Sequence, residues 1–152
     1  MKVIYFTQFY PPESIAAAFR AHEHARYWSN VDNAITVFTG YPNYPTGKVF
    51  DGYQISSLEQ TEDEKVRLLR SRIIAMSNKS FLGRIVNGLS FSFFGMTNFL
   101  LRKGIVGTDY DVVFASSGPI FTALLGSRFA KRNKLPFVVE FRDLSYAQLV
   151  AA

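Results

Sequence analysis

The chain predicts an α/β fold with a doubly wound, mostly parallel sheet, and three observations carry that reading. Short apolar runs recur at residues 2–7, 34–38, 111–115 and 137–139, the length and composition of buried strands. Two of the intervals between them, 14–28 and 119–131, space small and apolar residues at a helical period. Strands that alternate with helices build a parallel sheet covered on both faces. The 152 residues, 48% hydrophobic and 19% charged, suffice for a single domain with a sizeable core.

Taken in order, residues 2–7 form the first strand. Gln8-Phe9-Tyr10-Pro11-Pro12-Glu13 ends it, because two prolines cannot continue a ladder. Residues 14–28 follow as a helix, with Ser14 as its cap and the stripe Ala18, Ala21, Ala25 and Trp28 facing the sheet. Residues 34–38 are the second strand, and strand–helix–strand makes one right-handed crossover. A loop rich in glycine, proline and tyrosine spans 40–51. Residues 53–59 and 65–74 are expected to pair across the acidic turn 62–64. Residues 111–115 form a strand and 116–119 a turn, with Pro119 in the first turn of the next helix. That helix ends in the cations of 131–134, where its dipole favours them. The last strand, after Pro136, reads as buried on both faces.

Several chemistries are excluded or disfavoured. With no cysteine there is no disulfide framework and no thiolate metal site. His22 and His24, two apart on a helix, point to different faces, which argues against a shared metal and leaves no nucleophile–histidine–acid set. The first strand-to-helix connection lacks Gly-x-Gly-x-x-Gly, which disfavours a dinucleotide dehydrogenase. Its helix start still offers free N–H groups to an anion or a sugar hydroxyl. The net charge of +5 favours anionic partners, but no nucleic-acid motif accompanies it.

Ligands of open parallel sheets sit beyond the carboxyl ends of the strands. Glu13 and Arg20 lie at or just after the first such edge, Ser116 and Ser117 at the fourth, and Glu140, Arg142 and Asp143 at the last. A carboxylate there can orient a hydroxyl or take its proton. A purely structural ion pair at a strand end is the competing reading. In the 40–51 loop, Tyr41 and Tyr44 suit stacking on a sugar. Phe81–Leu101 has nearly the length of a membrane span, but Arg84, Asn87, Ser90, Ser92, Thr97 and Asn98 interrupt it. A buried core helix leads, followed by a helix lying in a membrane interface.

These residues resemble a known family. Tyr10-Pro11-Pro12-Glu13, a small-residue helix holding Arg20, and the stretch from Thr39-Gly40-Tyr41-Pro42-Asn43-Tyr44 to Lys48 are similar to the N-terminal half of GT-B glycosyltransferases of family 4, the bacterial group that builds capsules, O-antigens and exopolysaccharides. Tyr110 to Pro119 and Glu140-Phe141-Arg142-Asp143-Leu144 look like further strand edges of that family. The resemblance implies a single Rossmann-like acceptor-side domain over 1–152, with the family's C-terminal donor domain absent from this chain. It implies retaining transfer of a sugar from a nucleotide-sugar to a lipid-linked or polysaccharide acceptor, with no metal or other cofactor and no nucleic-acid partner. Asp143 and Arg142 would line the catalytic cleft. Glu13, Ser14, Arg20, Asn43, Tyr44, Ser116 and Ser117 would touch the acceptor or the donor phosphates. The expected location is the cytoplasm, peripheral on the inner face of the plasma membrane through Phe81–Leu101. A free-standing Rossmann-like binding module is the alternative.

Overall fold

The computed structural model describes residues 1–101 and 103–141, with nothing stated of the Lys103 side chain. Arg142 and Asp143 lie outside the described residues. In chain order the elements are β1 (Lys2–Phe6), α1 (Ala16–Asn30), β2 (Ala34–Gly40), β3 (Leu58–Asp63), β4 (Val66–Ser71), α2 (Phe81–Leu101), α3 (Lys103–Val106), β5 (Val112–Ser116), α4 (Ile120–Asn133) and β6 (Phe137–Glu140). The six strands form one sheet in the order β3-β4-β2-β1-β5-β6. Every pairing is parallel except β3 with β4. The molecule is a Rossmann-like α/β sheet with helices on both faces.

Period-two alternation sorts β1 between two cores. Val3 and Tyr5 face α1, together with Ala21, Ala25, Ile35, Val37 and Leu68. Ile4 and Phe6 face α2 and α4, together with Phe38, Leu69, Phe91, Phe99, Val113, Leu125 and Phe129. The phenylalanine-rich composition is spent on this second face. Phe6, Phe38, Phe99 and Phe129 form a chain of ring contacts, the tightest being an edge-on Phe99–Phe129 pair with centroids 4.7 Å apart. On α1 the small stripe Ala18, Ala21 and Ala25 is buried as its spacing predicts, and Trp28 packs on Tyr5 and Phe114.

Three expectations are corrected. Helix α1 starts at Ala16 with Ile15 at its N-cap and no side-chain cap, because the Pro11–Ser14 segment is folded into turns that hold Ser14 ahead of the helix. The β3–β4 hairpin closes at Glu64-Lys65, so Glu62 and Asp63 are strand residues and 53–57 precede the strand. Glu64 takes φ 53°, a left-handed conformation that this tight reversal requires. Strand β6 is not buried on both faces. It is an edge strand, and Phe137 and Val138 are exposed.

Candidate functional site

Strand β1 sits where the winding reverses. From β1 the chain crosses to β2 through α1 on one face, and it reaches β5 along the other face through α2. A crevice opens at such a switch point, above the carboxyl ends of the strands. A cleft of about 880 Å³ lies there. Its floor is Thr7, Gln8 and Phe9, directly after β1, with Ser116 at the end of β5. Its walls are the starts of three helices: Ile15, the N-cap of α1, with Ala17; Phe81, Arg84 and Ile85 of α2; and Pro119, the N-cap of α4, with Phe121. Tyr44 from the 40–51 loop and Asn78 close the sides.

The loops around the cleft are braced from inside by one carboxylate. Glu13 is 1% exposed. Its Oε1 accepts the backbone N–H groups of Asn43 and Tyr44, both at 2.9 Å, and its Oε2 accepts that of Tyr10 at 3.3 Å. Burial pushes the Glu13 carboxyl above its ordinary range, while the three N–H donors and the Arg70 charge pull the other way. Arg70, itself buried, donates to the carbonyls of Gly40 at 3.3 Å and Pro11 at 2.5 Å. Its guanidinium also lies over the Tyr53 ring. Asn43 continues the brace, since its Oδ1 accepts from Asn87 of α2 at 3.2 Å and its Nδ2 donates to the Tyr41 carbonyl at 2.9 Å.

The predicted site residues therefore fall into separate groups. Glu13 and Asn43 are turned into the protein and organise the cleft walls; their polar atoms are taken up by loop backbone and by Asn87, and neither lines the cleft. Tyr41 is also buried, its hydroxyl against Gln54 and Ser56, so it stacks on no ligand. Tyr44 and Ser116 line the cleft, and the Tyr44 ring meets Phe9 edge-on with centroids 6.0 Å apart. Ser117 sits beside them, donating its backbone N–H to the Glu140 carbonyl at 2.9 Å. Ser14 is exposed on the turn before α1. Arg20 is not in the cleft lining. It pairs with Glu140 at 3.4 Å, joining α1 to the end of β6, which is the structural reading weighed for charges at that edge.

Sequence reasoning passed over Gln8. It is 4% exposed, lines the cleft, and its Oε1 has no hydrogen-bond partner among the described residues. A buried acceptor left unmatched is costly, and this one lies at the cleft, where a bound hydroxyl could match it. The usable signal was its place, one residue beyond the carboxyl end of β1. Around it, neither α1 nor α4 has a side-chain cap, and residues of both helix starts line the same crevice. The cleft thus offers donors, an acceptor and the aromatic faces of Phe9, Tyr44, Phe81 and Phe121. No carboxylate and no histidine lines it among the described residues, and those residues hold no cluster suited to a metal ion.

No family model matches the chain, and no curated protein matches it. Among solved structures, the C-terminal domain of a hydrogenase from Pyrococcus furiosus is similar, at 16% identity over 92% of this chain and 90% of that chain, with a TM-score of 0.49. A likeness of that degree bears on neither family nor activity.

Proposed function

We propose that this chain is the acceptor-side domain of a retaining glycosyltransferase of the GT-B kind, one that moves a sugar from a nucleotide-sugar to a lipid-linked or polysaccharide acceptor. The observation that carries the reading is the cleft over β1. Sugar hydroxyls both donate and accept, and pyranose faces are apolar. The unmatched Gln8 acceptor, the uncapped helix starts and the Phe9–Tyr44 pair meet those needs together. The resemblance of the Tyr10–Glu13 and Thr39–Lys48 segments to family 4 supports the same reading. In it, Arg142 and Asp143, which follow β6 in sequence, are the residues that supply charge to the reaction, and Glu13 and Asn43 position the walls.

A free-standing binding module is the second reading. It is favoured by the lack of a carboxylate or histidine among the described residues that line the cleft.

The test is transfer of labelled sugar by the protein as its own cell makes it. A panel of nucleotide-sugars is supplied and the label followed into lipid and polysaccharide fractions. Transfer that falls in Gln8→Met supports the enzyme reading. Saccharide binding without transfer across the panel replaces it with the binding module, and neither binding nor transfer removes both.

A further inference from the structure

No helix among the described residues is long and apolar enough to cross a membrane. Near its end, α2 turns Phe99 inward against Phe129 of α4, and both side chains are buried. A cavity of about 300 Å³ opens beside these two rings. Val106, Gly107 and Thr108 line it where the chain leads into β5, and Arg132 and Asn133 line it at the end of α4, just before β6. The cavity therefore lies at the amino ends of the strands, at the opposite edge of the sheet from the cleft, and shares no residue with it. Gly107 takes φ 80°, a left-handed backbone that glycine adopts without steric cost, and so turns the chain from α3 towards β5.

Charge decides what such a cavity takes. Arg132 is the one charged residue in the lining, and no carboxylate accompanies it. Its guanidinium has no carboxylate partner among the described residues. Arg67 stands alongside, donating to the carbonyls of Ile105 and Val106 and to Gln60, and it too pairs with no carboxylate among the described residues. The carbonyls that end α4 would disfavour an anion if they were free. They are occupied: that of Phe129 accepts from Asn133 Nδ2 at 2.9 Å, and those of Ala130 and Lys131 accept the Lys134 N–H. What is left is an unmatched fork of cationic donors above two aromatic rings, in a space at the small end of the range of ligand sites.

We propose that this cavity is a second binding site, for a small molecule that joins a carboxylate to a flat apolar body. The carboxylate pairs with Arg132, whose planar fork matches its two oxygens, and the body packs against Phe99 and Phe129. The proposal uses no residue of the cleft, so it stands whether or not the sugar-transfer reading does.

The test is a titration of the chain with benzoate, followed by the amide chemical shifts of each residue. Shifts are expected at Val106–Thr108 and at Arg132–Asn133. Benzyl alcohol lacks the charge and acetate lacks the ring, and each is expected to bind about tenfold more weakly or worse. Arg132→Gln is expected to weaken benzoate about tenfold and to leave the melting temperature unchanged, since Arg132 is exposed. Benzoate that shifts only residues of the cleft, such as Thr7–Phe9, overturns the proposal, and so does benzoate that shifts nothing. Equal binding of benzyl alcohol or acetate overturns the assigned chemistry, and benzoate held equally well by Arg132→Gln removes Arg132 from it.

Discussion

The Glu13 carboxylate accepts the backbone N–H of Asn43 at 2.9 Å, joining two loops thirty residues apart in sequence. Two further backbone donors close on the same side chain, so three loop groups depend on one residue. Replacing it by alanine leaves those N–H groups buried and unmatched, with an expected loss of about 2–4 kcal/mol. Urea unfolding of Glu13→Ala checks this, and a loss well below 1 kcal/mol would show that the loops hold without the brace.

The same carboxyl gives a pH dependence with a definite sign. Its folded pKa lies above its unfolded one, so the folded state holds the proton more tightly. The contribution is full below the ordinary glutamate range and is lost as pH rises through the raised folded value. The stability difference between the native chain and Glu13→Gln is therefore largest in acid and shrinks as pH rises from that range. Unfolding midpoints of both proteins across the acidic range measure it, and a difference that grows with pH contradicts the sign.

Gly88 of α2 leaves room for the Phe121 ring of α4. A Cβ there would lie 2.4 Å from Phe121 Cδ2. Gly95 does the same for Leu125, with 2.6 Å to its Cδ2. Gly88→Ala is expected to cost about 1–3 kcal/mol by overpacking, although alanine is the better helix former. Because Phe121 lines the cleft, the variant should also perturb ligand binding. A melting temperature at or above that of the native chain would mean the ring shifts freely.

Gln8 separates stability from function. Gln8→Met removes an unmatched buried acceptor, so stability should hold or rise by up to about 1 kcal/mol. Saccharide affinity should fall about tenfold, the worth of one lost hydrogen bond to a bound hydroxyl. Thermal melts and a binding titration read the two quantities independently. A variant that loses stability and keeps its affinity would make Gln8 a structural residue.

Asp143 carries the catalytic part of the proposal. In the protein as its cell makes it, Asp143→Asn is expected to lower turnover at least about a hundredfold. Unchanged turnover would take the residue out of the chemistry.

The sheet was legible because its signals are local. Apolar runs bounded by proline, a small-residue stripe at helical spacing and the cations that end α4 each report backbone geometry over a few neighbouring residues. Lys134, at φ 56°, completes that C-cap with its N–H on the Ala130 and Lys131 carbonyls. The alternation of strand and helix then leaves few topologies, and the parallel order around β1 follows from the right-handed crossover. The basic, acid-free stretch that contains α2 could likewise be read without a structure.

The direction of each polar side chain needed the tertiary fold. Glu13 and Asn43 look alike from sequence whether they face a ligand or each other's loops. Their burial is decided by a contact between segments thirty residues apart, which no local period reports. Helix α2 shows the same limit more sharply. Its period predicts an apolar line, and elementary expectation turns that line inward. The fold turns it outward because Asn87, Ser90 and Asn98 find buried partners in the loop after β4, in Ser57 and in Ser71. Matching those groups inside the protein is what leaves Leu82, Leu89, Phe93 and Leu100 on the surface.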